Sequence, residues 1–179
     1  MDKPSPHLTD TGAAAEPREA RWIALEELRE PQPKAALAYW QAKRGDRLMP
    51  HPRDVDPIEI PKLLAHLSIV DVLDGDPPDF FYRLEGDVIA SVIGYRRMGR
   101  RLSELRDYLG PVYPRASARL TAGVTAKAPL ALTSKLQGLN RPFYTIELVL
   151  LPFSRDGEKV DRLVLCTGIL ARPSGVIRA

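Results

Sequence analysis

Cysteine is nearly absent. Cys166 stands alone in 179 residues, which excludes an internal disulfide framework, leaves a cysteine-based zinc site short of ligands and fits a reducing compartment. No run approaches the roughly 18 consecutive apolar residues of a membrane span, and the N-terminus lacks the cationic-then-apolar pattern of an export signal. The expected location is the cytoplasm, with no membrane insertion. Charge of one sign is scarce as well. The net charge is +3, and Lys3 and Arg18 against Asp2, Asp10, Glu16 and Glu19 make the first 20 residues acidic and the rest mildly basic. Nucleic acid would want a wider basic face with stacking aromatics, so none is expected as a partner. Also missing are a Gly-x-Ser-x-Gly elbow, a phosphate loop and a cysteine paired with a base. No catalytic residue is assigned, and the chain is not expected to be an enzyme.

What is present is an ordinary soluble composition, 44% hydrophobic and 27% charged, in a chain long enough for one domain with its own core. Residues 1–20 hold too few large apolar side chains to offset the entropy of ordering and read as a disordered tail. From 21 to 45 the chain reads as an N-terminal helical arm. Trp22, Leu25 and Leu28 recur at helical spacing, Pro31 and Pro33 interrupt, and Leu37, Tyr39 and Trp40 resume before Gly45. Asp56, Pro57 and Glu59 have the order of an N-cap, a first-turn proline and a capping-box glutamate, so a short helix is expected from Pro57.

Leu67 to Leu73, LSIVDVL, is β-branched and apolar and stops at DGDPPD, which makes it a strand; Phe80 to Glu85 is the second strand of that hairpin. Val88, Ile89, Val92 and Ile93 form a helical stripe ended by Gly94, and Val112, Ala116, Leu120 and Val124 mark a helix over Pro111 to Lys127. Three β-like runs follow, Pro129 to Gln137, Phe143 to Phe153 and Val160 to Leu170, separated by GLNR and SRDGEK. In the middle run Tyr144, Ile146, Leu148 and Leu150 share one face, and Phe143, Thr145, Glu147, Val149 and Leu151 the other.

Two strands, helices, then three strands is the element order of a PAS domain, and FFYRLEGDVIASVIGYRRMGRRLSEL carries the likeness. Gly94-Tyr95 resembles the turn that ends a PAS helix, and Gly99-Arg100-Arg101-Leu102 resembles the Gly-Arg-x-Leu element after it. Glycine permits positive φ and close packing at such points. With YWQAKRG, LMPHPRDVDPIEIPKLLAHLSIVDV, YRLEG and LLPFSRDG in this order, the stretch from Leu37 to Leu170 is similar to a bacterial family of short PAS-like proteins. The resemblance implies an α+β fold over residues 46–172: a five-stranded antiparallel sheet with helices inserted between strands 2 and 3, and a C-terminal tail from 173 to 179. It implies a sensory or signalling function, with any effector supplied by another protein.

The same resemblance argues against known PAS cofactors. Flavin-binding light sensors use a cysteine in an Asn-Cys-Arg-Phe type motif on a helix, whereas Cys166 falls on the last strand. Haem-binding members use a helical histidine, and His7, His51 and His66 fall in the tail, a turn and a strand start. No cofactor is expected; an unidentified small molecule is the candidate ligand. Its pocket, between sheet and helices, would be lined by Tyr82, Arg83, Leu84, Ile89, Ile93, Tyr144, Ile146 and Leu148. The opposite face, with Phe143, Val149 and Leu151, would be covered by Trp22, Leu25, Leu28, Leu37 and Trp40. PAS-like domains often dimerise through such arms, so these residues are the expected interface of a homodimer, and the sheet could also take a signalling partner.

The remaining motifs have structural readings beside the chemical ones. Arg96, Arg97, Arg100 and Arg101 could grip phosphate, but neighbouring carboxylates favour a solvated connector. His51, Asp54, Asp56 and His66 carry metal-type atoms, yet the flanking prolines and the capping role of Asp56 favour a turn; no metal is expected. Two alternatives stand beside the sensor: a small α+β enzyme, which would show an ionisable pair inside its pocket, and a scaffold protein with a filled core and an apolar outer surface.

Overall fold

The computed structural model describes residues 20–136 and 144–171. Its centre is a six-stranded, wholly antiparallel sheet. The strands are β1 (Ala20–Ile23), β2 (Leu67–Leu73), β3 (Asp79–Glu85), β4 (Leu130–Leu136), β5 (Tyr144–Phe153) and β6 (Arg162–Ala171), in the spatial order β1-β4-β5-β6-β2-β3. The helices are α1 (Pro31–Arg44), α2 (Asp87–Ile93), α3 (Arg106–Leu109) and α4 (Val112–Ala126). Helices α2 to α4 occupy the connection between β3 and β4, so five strands and the insertion point match the α+β expectation. The sixth strand, β1, comes from the arm.

The arm corrects the expectation of two short helices joined by a proline corner. Trp22 lies in β1 opposite Leu132, and Leu25–Glu27 is a single 3-10 turn. Pro31 and Pro33 do not interrupt α1 but begin it. In a first helical turn a missing amide costs nothing, because those amides have no partner inside the helix.

Helix α1 lies across β5 and β6. It is fastened by the Trp40 indole, which donates to the Pro152 carbonyl at 2.7 Å. Leu28, Trp40, Val149 and Leu151 are all buried within this one chain, and Leu25 and Leu37 pack against them. The arm therefore covers this face within one chain. Trp22 is the exception at 43% exposed. Phe143 lies outside the described residues.

No helix starts at Pro57. The Asp56 amide donates to the Tyr39 hydroxyl, and Glu59 accepts from that same hydroxyl and from Lys43. The atoms a capping box needs are thus engaged by α1, and the segment settles into turns, with the Asp56 carboxylate accepting from the Ile58 amide. Asp54 accepts from the His51 amide and pairs with Arg47, while His51 Nδ1 accepts from the Arg53 amide.

On the other face α4 packs against β5 and β6. Gly123 of α4 allows the approach: a Cβ there would stand 3.2 Å from Leu163 and 3.3 Å from Leu150. The alternation expected for β5 holds, with Leu148 and Leu150 toward α4 and Glu147, Val149 and Leu151 toward α1.

Candidate functional site

The segment that carries the PAS likeness closes the β3 edge. Gly94 ends α2 at φ +92°, and Gly99 turns the chain again at φ +80°. The Gly99 amide then donates to the Tyr82 carbonyl, the Tyr82 amide to the Arg100 carbonyl, and the Leu102 amide to the Phe80 carbonyl, at 2.7 to 3.0 Å. Leu102 is fully buried. A sheet edge that would otherwise offer unpaired backbone groups is covered.

The arginines of this segment have different fates. Arg96 pairs with Asp87 and Arg100 with Glu104 on the surface. Arg97 does not belong to a solvated connector: it turns inward to Glu85, whose side chain has no exposed surface. Glu85 accepts the Arg97 amide at 2.7 Å and Nε at 2.6 Å. The guanidinium stacks 4.4 Å from the Tyr82 ring centre. Beside them burial drives the Tyr95 phenol well above its ordinary pKa. This is a polar lock, not a reaction centre, because the carboxylate is engaged on both oxygens and an arginine cannot exchange protons at neutral pH. Arg83, expected at the pocket, lies on the opposite face and binds Asp71 together with Arg162. Burial alone would raise the Asp71 pKa, but the two guanidinium groups hold it below the usual carboxylate range.

A groove of about 350 Å³ opens elsewhere, between α4 and the β1–β4 edge. Its floor is Leu132, one wall is Trp22 of β1, and the facing wall is Pro114, Ala118 and Ala122 of α4. Arg21, Arg115, Arg119 and Lys135 also border it, and Arg119 donates to the Ser134 hydroxyl at 3.1 Å. None of Tyr82, Arg83, Leu84, Ile89, Ile93, Tyr144, Ile146 and Leu148 borders it. Tyr82 and Ile89 are core residues near the β3 edge, and Ile146 and Leu148 are buried on β5. The space opens instead where α4 presents small side chains to the sheet. The signal in the sequence was the recurrence of Pro114, Ala118 and Ala122 at steps of four, next to Arg115 and Arg119 at the same step.

The sequence profile of the PAS domain matches residues 28–171. This chain belongs to the PAS domain family. Comparisons with curated proteins and with solved structures return no match. As a PAS domain it is sensory or signalling in general kind, and such domains are generally non-catalytic. The match begins at Leu28, so α1 lies within it and β1 stands before it. Among the described residues no helix is long and apolar enough to cross a membrane.

Proposed function

We propose that this PAS domain senses a small molecule held in the groove between α4 and the β1–β4 edge, and that it performs no reaction of its own. The observation that carries the reading is the groove itself: an apolar slot with a few polar groups at its border, of the size and composition typical of ligand sites, roughly 300 to 1,000 Å³. Among the described residues no carboxylate, histidine or cysteine lines it. The one deeply buried ionisable pair described above, Glu85 with Arg97, sits at the β3 edge, four strand spacings or roughly 19 Å from β4. That separation disfavours the enzyme alternative.

Because β1 supplies a wall of the groove, a ligand touching Trp22 would favour conformations in which β1 is paired with β4. A ligand shifts an equilibrium only by its differential affinity for the two states, and here the difference is the presence or absence of that wall. A partner protein, or a second copy of the chain, would then read the state of the arm.

Native mass spectrometry of freshly purified protein tests the reading. A retained small molecule that is lost from Ala118→Trp, which fills the groove, supports it. An empty protein whose melting temperature no member of a broad metabolite panel raises would overturn it and favour the scaffold alternative.

A further inference from the structure

The surface inside the groove says more about its occupant, and this step rests on the sensing function just proposed. We infer that the groove selects an uncharged, planar aromatic molecule.

Register decides which side chains enter the slot. Trp22 is opposite Leu132 in the β1–β4 pair, and cross-strand neighbours share a face of the sheet. The indole therefore stands on the α4 side with Leu132. Strand alternation sends the neighbours the other way: Arg21, opposite Thr133, and Lys135 both leave from the far face. Arg21 is moreover paired with Glu27 at 3.1 Å. Arg115 and Arg119 border the slot from α4, and both already hold partners within the chain, the Ser134 hydroxyl being one for Arg119. What a ligand meets inside is hydrocarbon: Trp22, Leu132, Pro114, Ala118 and Ala122. A charged group drawn into such a slot loses water without gaining a partner made for it, which is costly.

Shape and contact chemistry argue for a flat ring system. Pro114, Ala118 and Ala122 recur at steps of four and so form one row along α4. The two alanines end at Cβ, which leaves that wall low, and the opposing wall is a sheet. Leu132 on the floor is 1% exposed, whereas the indole beside it remains 43% exposed. A ring placed between α4 and Trp22 would bury that remaining aromatic surface in an edge or face contact. At about 350 Å³ the groove is near the small end for ligand sites, which suits two fused rings better than a long flexible chain.

The test uses the full-length chain at neutral pH with three probes of one skeleton: 2-naphthol, its saturated analogue decahydro-2-naphthol, and 2-naphthoate, which is ionised. Affinity is read by calorimetry, and location by the two tryptophan indole N–H resonances, from the exposed Trp22 and the buried Trp40. The naphthol is expected to bind about three- to ten-fold more tightly than the saturated alcohol, the increment of an aromatic pair, and about ten-fold or more tighter than the carboxylate. It should shift the Trp22 resonance and leave that of Trp40 in place. In Trp22→Leu the naphthol should fall to the affinity of the saturated alcohol, whose continued binding shows that the groove is intact.

A carboxylate that binds as tightly as the naphthol overturns the preference for an uncharged ligand while leaving a ligand-binding groove. Equal affinity for the saturated alcohol, or a preference that survives Trp22→Leu, overturns the aromatic selectivity in the same way. Undiminished binding to Ala118→Trp, with its fold verified by circular dichroism, places the ligand elsewhere and removes both this inference and the groove. Failure of every probe to bind up to its solubility overturns the inference; the metabolite panel then decides separately whether the groove takes any ligand.

Discussion

The carboxylate of Glu147, in the middle of β5, accepts the backbone amide of Glu30 at 2.8 Å. The same carboxylate accepts the Arg29 amide through both oxygens, at 2.9 and 3.0 Å. Glu147 is fully buried, and Glu30 caps the start of α1. A negative charge therefore sits where a helix leaves its first amides unpaired and its dipole is positive. Gly168, the partner of Glu147 on β6, lets the helix start come so close: a Cβ there would lie 2.3 Å from that of Glu30.

Glu147→Ala should destabilise the fold by about 3 kcal/mol, because it strands two partly buried amides that had a charged acceptor. Glu147→Gln keeps one acceptor oxygen and should cost about half as much. Equilibrium unfolding in urea measures both. A Glu147→Ala midpoint equal to that of the unaltered protein would remove this anchor from the account.

Glu85 and Arg97 make a different kind of prediction. Truncating either partner alone leaves the other charge buried, at a cost of about 3 to 5 kcal/mol. Replacing both, as Glu85→Leu with Arg97→Met, should cost much less than the sum of the single changes. A double-mutant cycle reads the coupling, and strictly additive effects would mean that the pair is not formed.

These two anchors also show where sequence reasoning succeeds and where it stops. The strands β2 to β6 were readable to within one or two residues, since alternation of apolar side chains and hard turn signals are local. Helix α4 was readable from a stripe at steps of four. The strand β1 was not: ARWI is four residues long with no punctuation, and its identity as a strand comes from pairing with Ala131–Ser134, more than a hundred residues away. The turn at Pro57 had a helix's capping signals, but Tyr39 and Lys43 took up those atoms. Arg97 looked like its neighbours until folding set it against Glu85. The groove was hidden for the reason cavities usually are: its evidence is the smallness of Ala118 and Ala122, which has meaning only once the facing wall is known.

Cys166 lies in the middle of β6 with no exposed surface, and burial pushes its thiol up to about 12. Since the thiolate is the reactive form, a disulfide reagent such as Ellman's should not label the folded protein at pH 8. Labelling should appear with the unfolding transition in denaturant. The sign of the pH effect follows. The folded pKa is raised, so the stability contributed by the neutral thiol is complete below the unfolded pKa of about 8.5 and declines as pH rises toward about 12. Rapid stoichiometric labelling of native protein would contradict the burial.

In the turn between β5 and β6 the shift has the opposite direction. The Asp156 carboxylate accepts from the amides of Lys159 and Glu158, each at 2.8 Å, and from the Ser154 hydroxyl at 2.9 Å. These bonds hold its pKa at about 2. A depressed folded pKa means that its contribution is present above the unfolded pKa of about 3.9 and lost as pH falls toward about 2. The carboxyl resonance of Asp156 should titrate in that acid range, and Asp156→Ala should abolish it and loosen the turn. A midpoint near 4 would show the turn to be open in solution.

The last prediction concerns the arm. Without residues 1–45 the sheet face bearing Val149 and Leu151 loses α1, including Trp40 and its bond to Pro152. Each such large side chain contributes about 1.5 to 3 kcal/mol by burial, so the loss of several removes much of a typical domain's stability of about 5 to 15 kcal/mol. The truncated chain should aggregate or unfold, as seen by size-exclusion chromatography and circular dichroism. Removal of residues 1–19 alone leaves β1 and α1 in place and should preserve a folded protein with an unchanged Trp40 environment. If the chain lacking 1–45 stays folded and soluble, α1 is not the cover of that face and the arm's part in sensing falls with it.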